Sequence, residues 1–216
     1  MQVDGPSERA PAFLVLEDDV HVGRALRASL AGMSMTAHWV KTCEEARAAL
    51  SAQRWCGAIF DVGLPDGSGF DLLEELRASH DSLPALMMTG SYDPAIANRA
   101  HALRASCVYK PEVTENVLLF AQRSIAARAD VHRRMIAAAQ ELASIHGLTR
   151  RETEIVELIA RGVSREQLPL ALGVSENTLK TMVRRVLVKC RESHVEGVAR
   201  AVLESVVVLS CAADGE

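Results

Sequence analysis

Aromatic side chains are scarce, making up 4% of the 216 residues. A chain this poor in stacking rings offers no extended platform for single-stranded nucleic acid. Long apolar runs are missing as well. No stretch approaches the ~20 residues needed to span a bilayer. The opening MQVDGPSERAPAF lacks the basic-then-apolar order of a secretory signal. The expectation is a soluble, cytoplasmic protein with no membrane partner. Cysteine is sparse and odd in number. Cys43, Cys56, Cys107, Cys190 and Cys211 form no C-x-x-C pair and have no histidine at ligand spacing, which argues against a disulfide framework and against a zinc site. Repeats and low-complexity tracts are also absent. What is present, 49% apolar and 24% charged residues, is ordinary globular composition. The length suits one large domain or two small ones.

Charge divides the chain where the overall balance of −4 does not. Residues 12–126 hold 14 acids against 10 bases, and residues 147–200 hold 7 against 10. From Asn177 to Arg191 there are five bases and no acid. Two halves with different partners are implied.

The first half alternates apolar runs with helical patterns. AFLVL (12–16), MTAHWV (35–40), GAIFDV (57–62), PALMMT (84–89) and SCVYK (106–110) read as strands. Helices are expected near 20–31, 43–53, 69–79, 94–104 and 113–126. Thr42 with Glu45 has the pattern of a capping box, and Asp93-Pro94 places a cap before a proline at the first helical position. Five alternations predict an α/β fold, a doubly wound, five-stranded parallel sheet covered on both faces. Residues 127–146 read as a linker helix, separate from the preceding helix or continuous with it. Thr149 and Glu152 form another capping box and open an all-helical region, 147–210. The ends, 1–11 and 211–216, read as flexible tails.

Glu17 and Asp18 follow the first strand directly, Asp61 stands near the end of the third, Thr89 ends the fourth and Lys110 the fifth. In such a sheet these ends converge where ligands bind. Three adjacent carboxylates repel and call for a cation, and an all-oxygen set favours Mg²⁺. Lysine and a hydroxyl beside it would complete a pocket for a phosphoryl group on Asp61. The plain alternative makes Glu17, Asp18 and Asp19 helix caps and Asp61 a turn residue. It does not account for all the strand ends at once.

LVLEDD (14–19), FDVGLPDGSGFDLL (60–73), MMTG (87–90) and YKP (109–111) resemble, in order, the motifs of the response-regulator receiver domain, of flavodoxin-like fold. The resemblance implies phosphorylation of Asp61 by a sensor histidine kinase or phosphotransfer protein. It implies Mg²⁺ held by Glu17, Asp18, Asp61 and the carbonyl of Gly63, with Thr89 and Lys110 contacting the phosphoryl group. Gly90 would keep access open. Pro65, Gly67 and Gly69 would shape the loop after the acceptor, and the Lys110–Pro111 bond would be cis. Cys107 departs from the pattern, since an aromatic that turns with the threonine usually stands there. Tyr109, on the same strand face, either substitutes for it or packs.

LTRRETEIVELIARGVSREQLPLALGVSENTLKTMVRRVLVKC (148–190) resembles a LuxR/NarL-type helix-turn-helix. Ile155, Val156, Leu158 and Ile159 supply a buried face. Ser164 with Gln167 is a further expected cap, Gly173 the turn, and Ser175 the cap of a helix from Glu176. Leu179, Val183, Val186 and Leu187 face inward by spacing. The resemblance implies double-stranded DNA as partner, with Lys180, Thr181 and Arg184 meeting bases and Arg185, Lys189 and Thr178 meeting phosphates. Two departures stand out. Pro169 falls about five residues into its expected helix, requiring a kink or a shifted start, and Met182 replaces a frequent histidine. Residues 195–209 resemble the helix that dimerises related domains, with core packing as the alternative.

The leading reading is a phosphorylation-controlled transcription regulator, homodimeric when active and not an enzyme beyond its own aspartyl phosphorylation and dephosphorylation. A second reading keeps the receiver but gives the helical half to protein interaction, on the strength of Pro169. A third, an aspartyl-phosphate phosphatase, needs a second acid two residues after Asp61, where Gly63 stands.

Overall fold

The computed structural model describes residues 10–79 and 82–213, the side chains of 207–213 excepted. Of the expected tails, 1–11 and 211–216, residues 1–9 and 214–216 and the side chain of Cys211 lie outside the described residues, while 211–213 are helical. The chain divides into two compact units, residues 1–128 and 129–216.

In the first unit, β1 (Ala12–Leu16), β2 (Thr36–Val40), β3 (Gly57–Asp61), β6 (Ala85–Thr89) and β7 (Ser106–Tyr109) form a parallel sheet ordered β2-β1-β3-β6-β7. Helices α1 (Val20–Gly32), α2 (Cys43–Ala52), α3 (Gly69–Ala78), α4 (Pro94–Ala102) and the long α5 (Val113–Ile145) connect or follow the strands. The strands are near-continuous apolar runs because both faces are covered. Leu14, Leu16, Phe60 and Met87 point into one core layer with Val40, Phe70, Leu72 and Leu73. Their neighbours Phe13, Val15, Ile59, Leu86 and Met88 point into the other, with Leu26, Leu30, Val117 and Ala121. Each fully buried Leu, Phe or Met contributes ~1.5–3 kcal/mol, so alternate strand residues fasten helices to opposite faces.

Local chemistry sets the helix starts. Asp19 caps α1 by accepting from the amides of His21 and Val22, and Asp93 caps α4 ahead of Pro94. At α2, Thr42 accepts from the Glu45 amide as expected, but the Glu45 carboxylate returns to the Lys41 N–H at 2.8 Å, one residue before the cap. The sequence pattern passed over a two-residue antiparallel ladder, β4 (Gly63–Leu64) with β5 (Gly67–Ser68), in the loop after β3. No peptide bond among the described residues is cis. The Lys110–Pro111 bond, expected in cis, is trans. Pro111 lies in the first turn of the 3-10 helix Lys110–Glu112, where a trans proline fits and its missing N–H is no loss.

In the second unit, α6 (Arg150–Ala160), α7 (Leu168–Leu172), α8 (Glu176–Cys190) and α9 (Val195–Ala213) enclose a core of Ile155, Val156, Leu168, Leu179, Val183, Val186, Val198 and Val202. Ala138, Ala139 and Leu142 of α5 belong to the same core. Residues 127–146 are therefore more than a linker: they continue α5, and their second half completes the helical core. The capping box at α6 is present in full. The one expected at Ser164 is not, because α7 begins at Leu168 with Gln167 as an N-cap lacking a side-chain bond. The late start places Pro169 in the first turn, avoiding the ~3 kcal/mol of an interior proline. Gly173 ends α7 with φ 64° and ψ 36°, left-handed values that favour glycine.

Candidate functional site

The parallel strands carry their carboxyl ends to one edge of the sheet. Glu17 is fully buried and Asp61 is 4% exposed, while Asp18 is exposed. One carboxylate oxygen from each of the three lies within 4.8 Å of the others. Lys110, just past β7, donates to Asp61 Oδ2 at 2.8 Å and to Glu17 Oε1 at 3.0 Å. Of the three consecutive acids after β1, Asp19 is thus a cap, while Glu17 and Asp18 join the cluster.

The cluster carries more negative charge than one lysine offsets. Glu17 Oε2 is buried with no hydrogen-bond partner. Burial first, and then the Asp61 charge, raise the Glu17 pKa above its ordinary value, against the pull of Lys110. Burial works against the Lys110 charge, but hydrogen bonds to Asp61 and Glu17 outweigh it and raise its pKa. An orphan buried carboxylate oxygen among three acids suits a hard divalent cation, so the residues present fit Mg²⁺. The indole N–H of Trp39 fixes the Glu17 backbone by donating to its carbonyl at 2.7 Å. Gly69 lets α3 start against the acceptor strand: a Cβ there would stand 2.2 Å from the Asp61 carbonyl oxygen.

Other expected members are placed differently. The Gly63 amide approaches Asp61 Oδ1 at 3.5 Å, the limit of a hydrogen bond. Thr89 is buried at the end of β6, and its hydroxyl is engaged with Ser91, accepting from the amide at 3.0 Å and donating to the carbonyl at 3.3 Å. Cys107 packs against the core layer of Leu14 and Phe60. Tyr109 stacks on Tyr92, ring centroids 3.7 Å apart, and the Tyr92 side chain is otherwise out in solvent. Ser91, Tyr92 and Trp39 were not singled out from the sequence. A serine two residues past the threonine was the available signal for the first.

In the helical unit, Ser175 caps α8 by accepting from the Thr178 amide, and its hydroxyl also pairs with that of Thr178 at 2.9 Å. Thr181 donates back to the Asn177 carbonyl. Lys180, Arg184 and Arg185 are exposed and have no side-chain partner among the described residues. Lys189 is engaged otherwise than expected. Its ammonium donates to Glu152 Oε2 at 2.7 Å and to the Gly147 carbonyl at 2.9 Å, so it is engaged within its own unit and does not stand free as Lys180 and Arg184 do. Burial would raise the Glu152 pKa, yet Lys189 and the Thr149 amide and hydroxyl outweigh it and lower it. Met182 and Leu187 are partly buried against the core. On α9, Val198 and Val202 face the core of their own unit.

The response regulator receiver domain family matches residues 13–121. The chain is 27% identical over 203 residues to the transcriptional regulatory protein FixJ of Azorhizobium caulinodans, covering 91% of this chain and 93% of that one. It is 30% identical over 154 residues to the DNA-binding transcriptional activator DevR/DosR of Mycobacterium tuberculosis, covering 67% and 71%. Full-length FixJ from B. japonicum superposes with a TM-score of 0.53 at 22% identity, over 90% of this chain and 97% of that one. The response regulator StyR does so with 0.52 at 24%, over 90% and 99%. At those identities the two structures bear on the fold.

Proposed function

The chain belongs to the response regulator receiver family, and from that premise we propose that it is a DNA-binding transcription regulator controlled by phosphorylation of Asp61. The observation that carries the reading is the Glu17–Asp18–Asp61 cluster with Lys110 seated on an Asp61 oxygen. A carboxylate oxygen of Asp61 attacks the phosphorus of a phosphohistidine on a sensor kinase or phosphotransfer protein. The P–N bond breaks as the O–P bond forms, and the imidazole leaves and takes up a proton. Lys110 pairs with the charge that the new phosphoryl group brings. Glu17, Asp18 and Asp61, with the Gly63 carbonyl, would hold Mg²⁺, which supplies charge neutralisation to the transferred group. The Thr89 hydroxyl reaches that group by leaving Ser91. Outside this self-phosphorylation and its reversal, no further catalysis is proposed.

The output side rests on α8. Its buried face is filled, its cap is formed, and Lys180, Thr181, Arg184 and Arg185 lie outward on the helix that follows the turn at Gly173. That is the arrangement of a LuxR/NarL-type recognition helix, with cations free to meet base edges and phosphates in the major groove. FixJ and DevR/DosR, matched over most of their length, are by name transcription regulators, which favours the same output here. A homodimer in the cytoplasm is the expected active form. The protein-interaction alternative is less favoured, because Pro169 stands in the first turn of α7 and not in its interior. The test is to select bound sequences from random DNA with and without phosphorylation by acetyl phosphate and Mg²⁺. An enriched motif is expected, more strongly with the phosphorylated protein. Enrichment in neither state would sink the DNA-binding reading.

A further inference from the structure

The loop that follows Asp61 is fastened at its base and along its length. β3 leads into it, Ser68 Oγ donates to the Val62 carbonyl at 2.9 Å, and the β4–β5 ladder pairs Gly63 with Ser68. Gly63 itself is exposed, with nothing within 4 Å of where a Cβ would stand. Its position is therefore set by the loop and not by packing. At the tip, Asp66 reaches across to another element: its carboxylate accepts from the amides of Cys43 at 3.1 Å and Glu44 at 3.3 Å. Those are two of the first-turn N–H groups that α2 leaves without intrahelical partners, and Thr42 accepts from a third. The amide of Cys43, then burial working the other way, and then the amide of Glu44 set the balance that keeps the Asp66 pKa low. Asp66 is thus an anion in the place where a helix N-terminus favours one.

We propose that Asp66 is a positioning residue, which ties the tip of this loop to the first turn of α2 and thereby holds Gly63 at the metal side of the Asp61 site. The proposal rests on the reading of Asp61, Glu17 and Asp18 as that site, and concerns a residue that touches none of them. Asp66 acts through the loop, so its removal weakens divalent binding by about threefold to tenfold, less than the ~10–100-fold lost when a direct outer partner of a metal ligand is removed.

The test uses the full chain as wild type, Asp66→Ala, Asp66→Asn and Asp18→Ala. Mn²⁺ binding is counted from loss of the free-ion paramagnetic resonance signal, and amide exchange is followed in metal-free protein. Asp66→Ala should weaken Mn²⁺ binding by that factor and speed exchange both at Cys43 and Glu44 and along Gly63–Ser68. Asp66→Asn, which keeps an accepting oxygen without the charge, should recover part of each. Faster exchange at Cys43 and Glu44 alone, with Gly63–Ser68 and Mn²⁺ binding unchanged, would reduce Asp66 to a helix cap and overturn the proposal. If Asp18→Ala leaves Mn²⁺ binding untouched, the metal-site reading is what fails. Exchange along Gly63–Ser68 still decides whether Asp66 holds the loop.

Discussion

Each half of the molecule buries a glutamate against a lysine, and the two pairs are built to opposite ends. In the helical unit, Glu152 Oε2 accepts from Lys189 and from the Thr149 amide, and Lys189 also serves the Gly147 carbonyl. One negative charge meets one positive, and the pair stitches the last turn of α8 to the start of α6. In the receiver, Lys110 faces Glu17 and Asp61 together, with Asp18 beside them, and Glu17 Oε2 has no partner. The first arrangement satisfies its carboxylate, whereas the second leaves a buried acceptor over among like charges. Buried polar groups in native proteins are ordinarily satisfied, so an orphan among like charges points to function. The pKa directions agree, Glu152 lying below its ordinary value and Glu17 above.

The largest effect should come from the receiver site. Asp61→Asn should abolish phosphorylation by acetyl phosphate with Mg²⁺, because an amide cannot form the acyl phosphate. Intact mass after incubation is the measurement, and an unchanged gain of 80 Da (roughly one phosphoryl group) would move the acceptor elsewhere. The same substitution removes one of the crowded charges, so the metal-free variant should melt no lower than wild type.

Breaking the satisfied pair should cost stability instead. Lys189→Met leaves a buried carboxylate without its cation. About 2–3 kcal/mol should be lost, less than the ~3–5 of a fully buried pair, because the Lys189 side chain keeps 35% of its exposure. Adding Glu152→Gln should recover part of the loss, and denaturant melts of the single and double variants measure the coupling. The pH dependence separates the two sites by sign. The folded pKa of Glu152 is lowered from 4.5, so its contribution is present above that value and fades as pH falls through the folded pKa. Glu17 is raised from 4.5; without Mg²⁺ its contribution is present below that value and fades as pH rises. A Glu152→Gln variant whose stability falls with acid as steeply as wild type would remove Glu152 from this account.

The strand ends were legible in the sequence because period, turn residues and carboxylates agree there: Glu17, Asp18, Asp61 and Lys110 come together as their spacing implies. The partner of Lys189 is not legible in the sequence, for a physical reason. A sequence shows that a lysine lies on a basic helix, but not that Glu152, 37 residues earlier, waits beneath it. Thr89 shows the same limit at shorter range, since which neighbour holds its hydroxyl depends on the turn at Ser91. The start of α7 was misplaced because Ser164 and Gln167 have the spacing of a cap, whereas the proline decided the geometry. The second half of α5 was read as a linker because its small apolar residues, Ala138 and Ala139, gave little signal of the core they fill.

On the outward face of α8 the predicted effects concern discrimination. Lys180→Ala should relax preference at one or two base positions of each half-site, where a good contact is worth ~1–3 kcal/mol. Arg185→Ala should weaken all sequences about equally and reduce the salt slope by roughly one unit per subunit. Lys189→Met, once corrected for unfolded protein, should leave that slope unchanged. A slope reduced as far as in Arg185→Ala would return Lys189 to the DNA surface.

The smallest effect tests the start of α7. Pro169 occupies the first turn of a five-residue helix, where its N–H would have no intrahelical partner and its fixed φ suits the helix. Pro169→Ala should therefore change stability by no more than about 0.5 kcal/mol. The small loss of unfolded-state restriction roughly offsets any gain in helix propensity. If instead α7 ran from Ser164, the proline would be interior and its removal would stabilise the unit by about 2–3 kcal/mol. A denaturant melt distinguishes the two outcomes easily. The neighbouring Ala171 supplies the reverse control: its amide donates to the Gln167 carbonyl at 3.0 Å, so Ala171→Pro should destabilise where Pro169 does not.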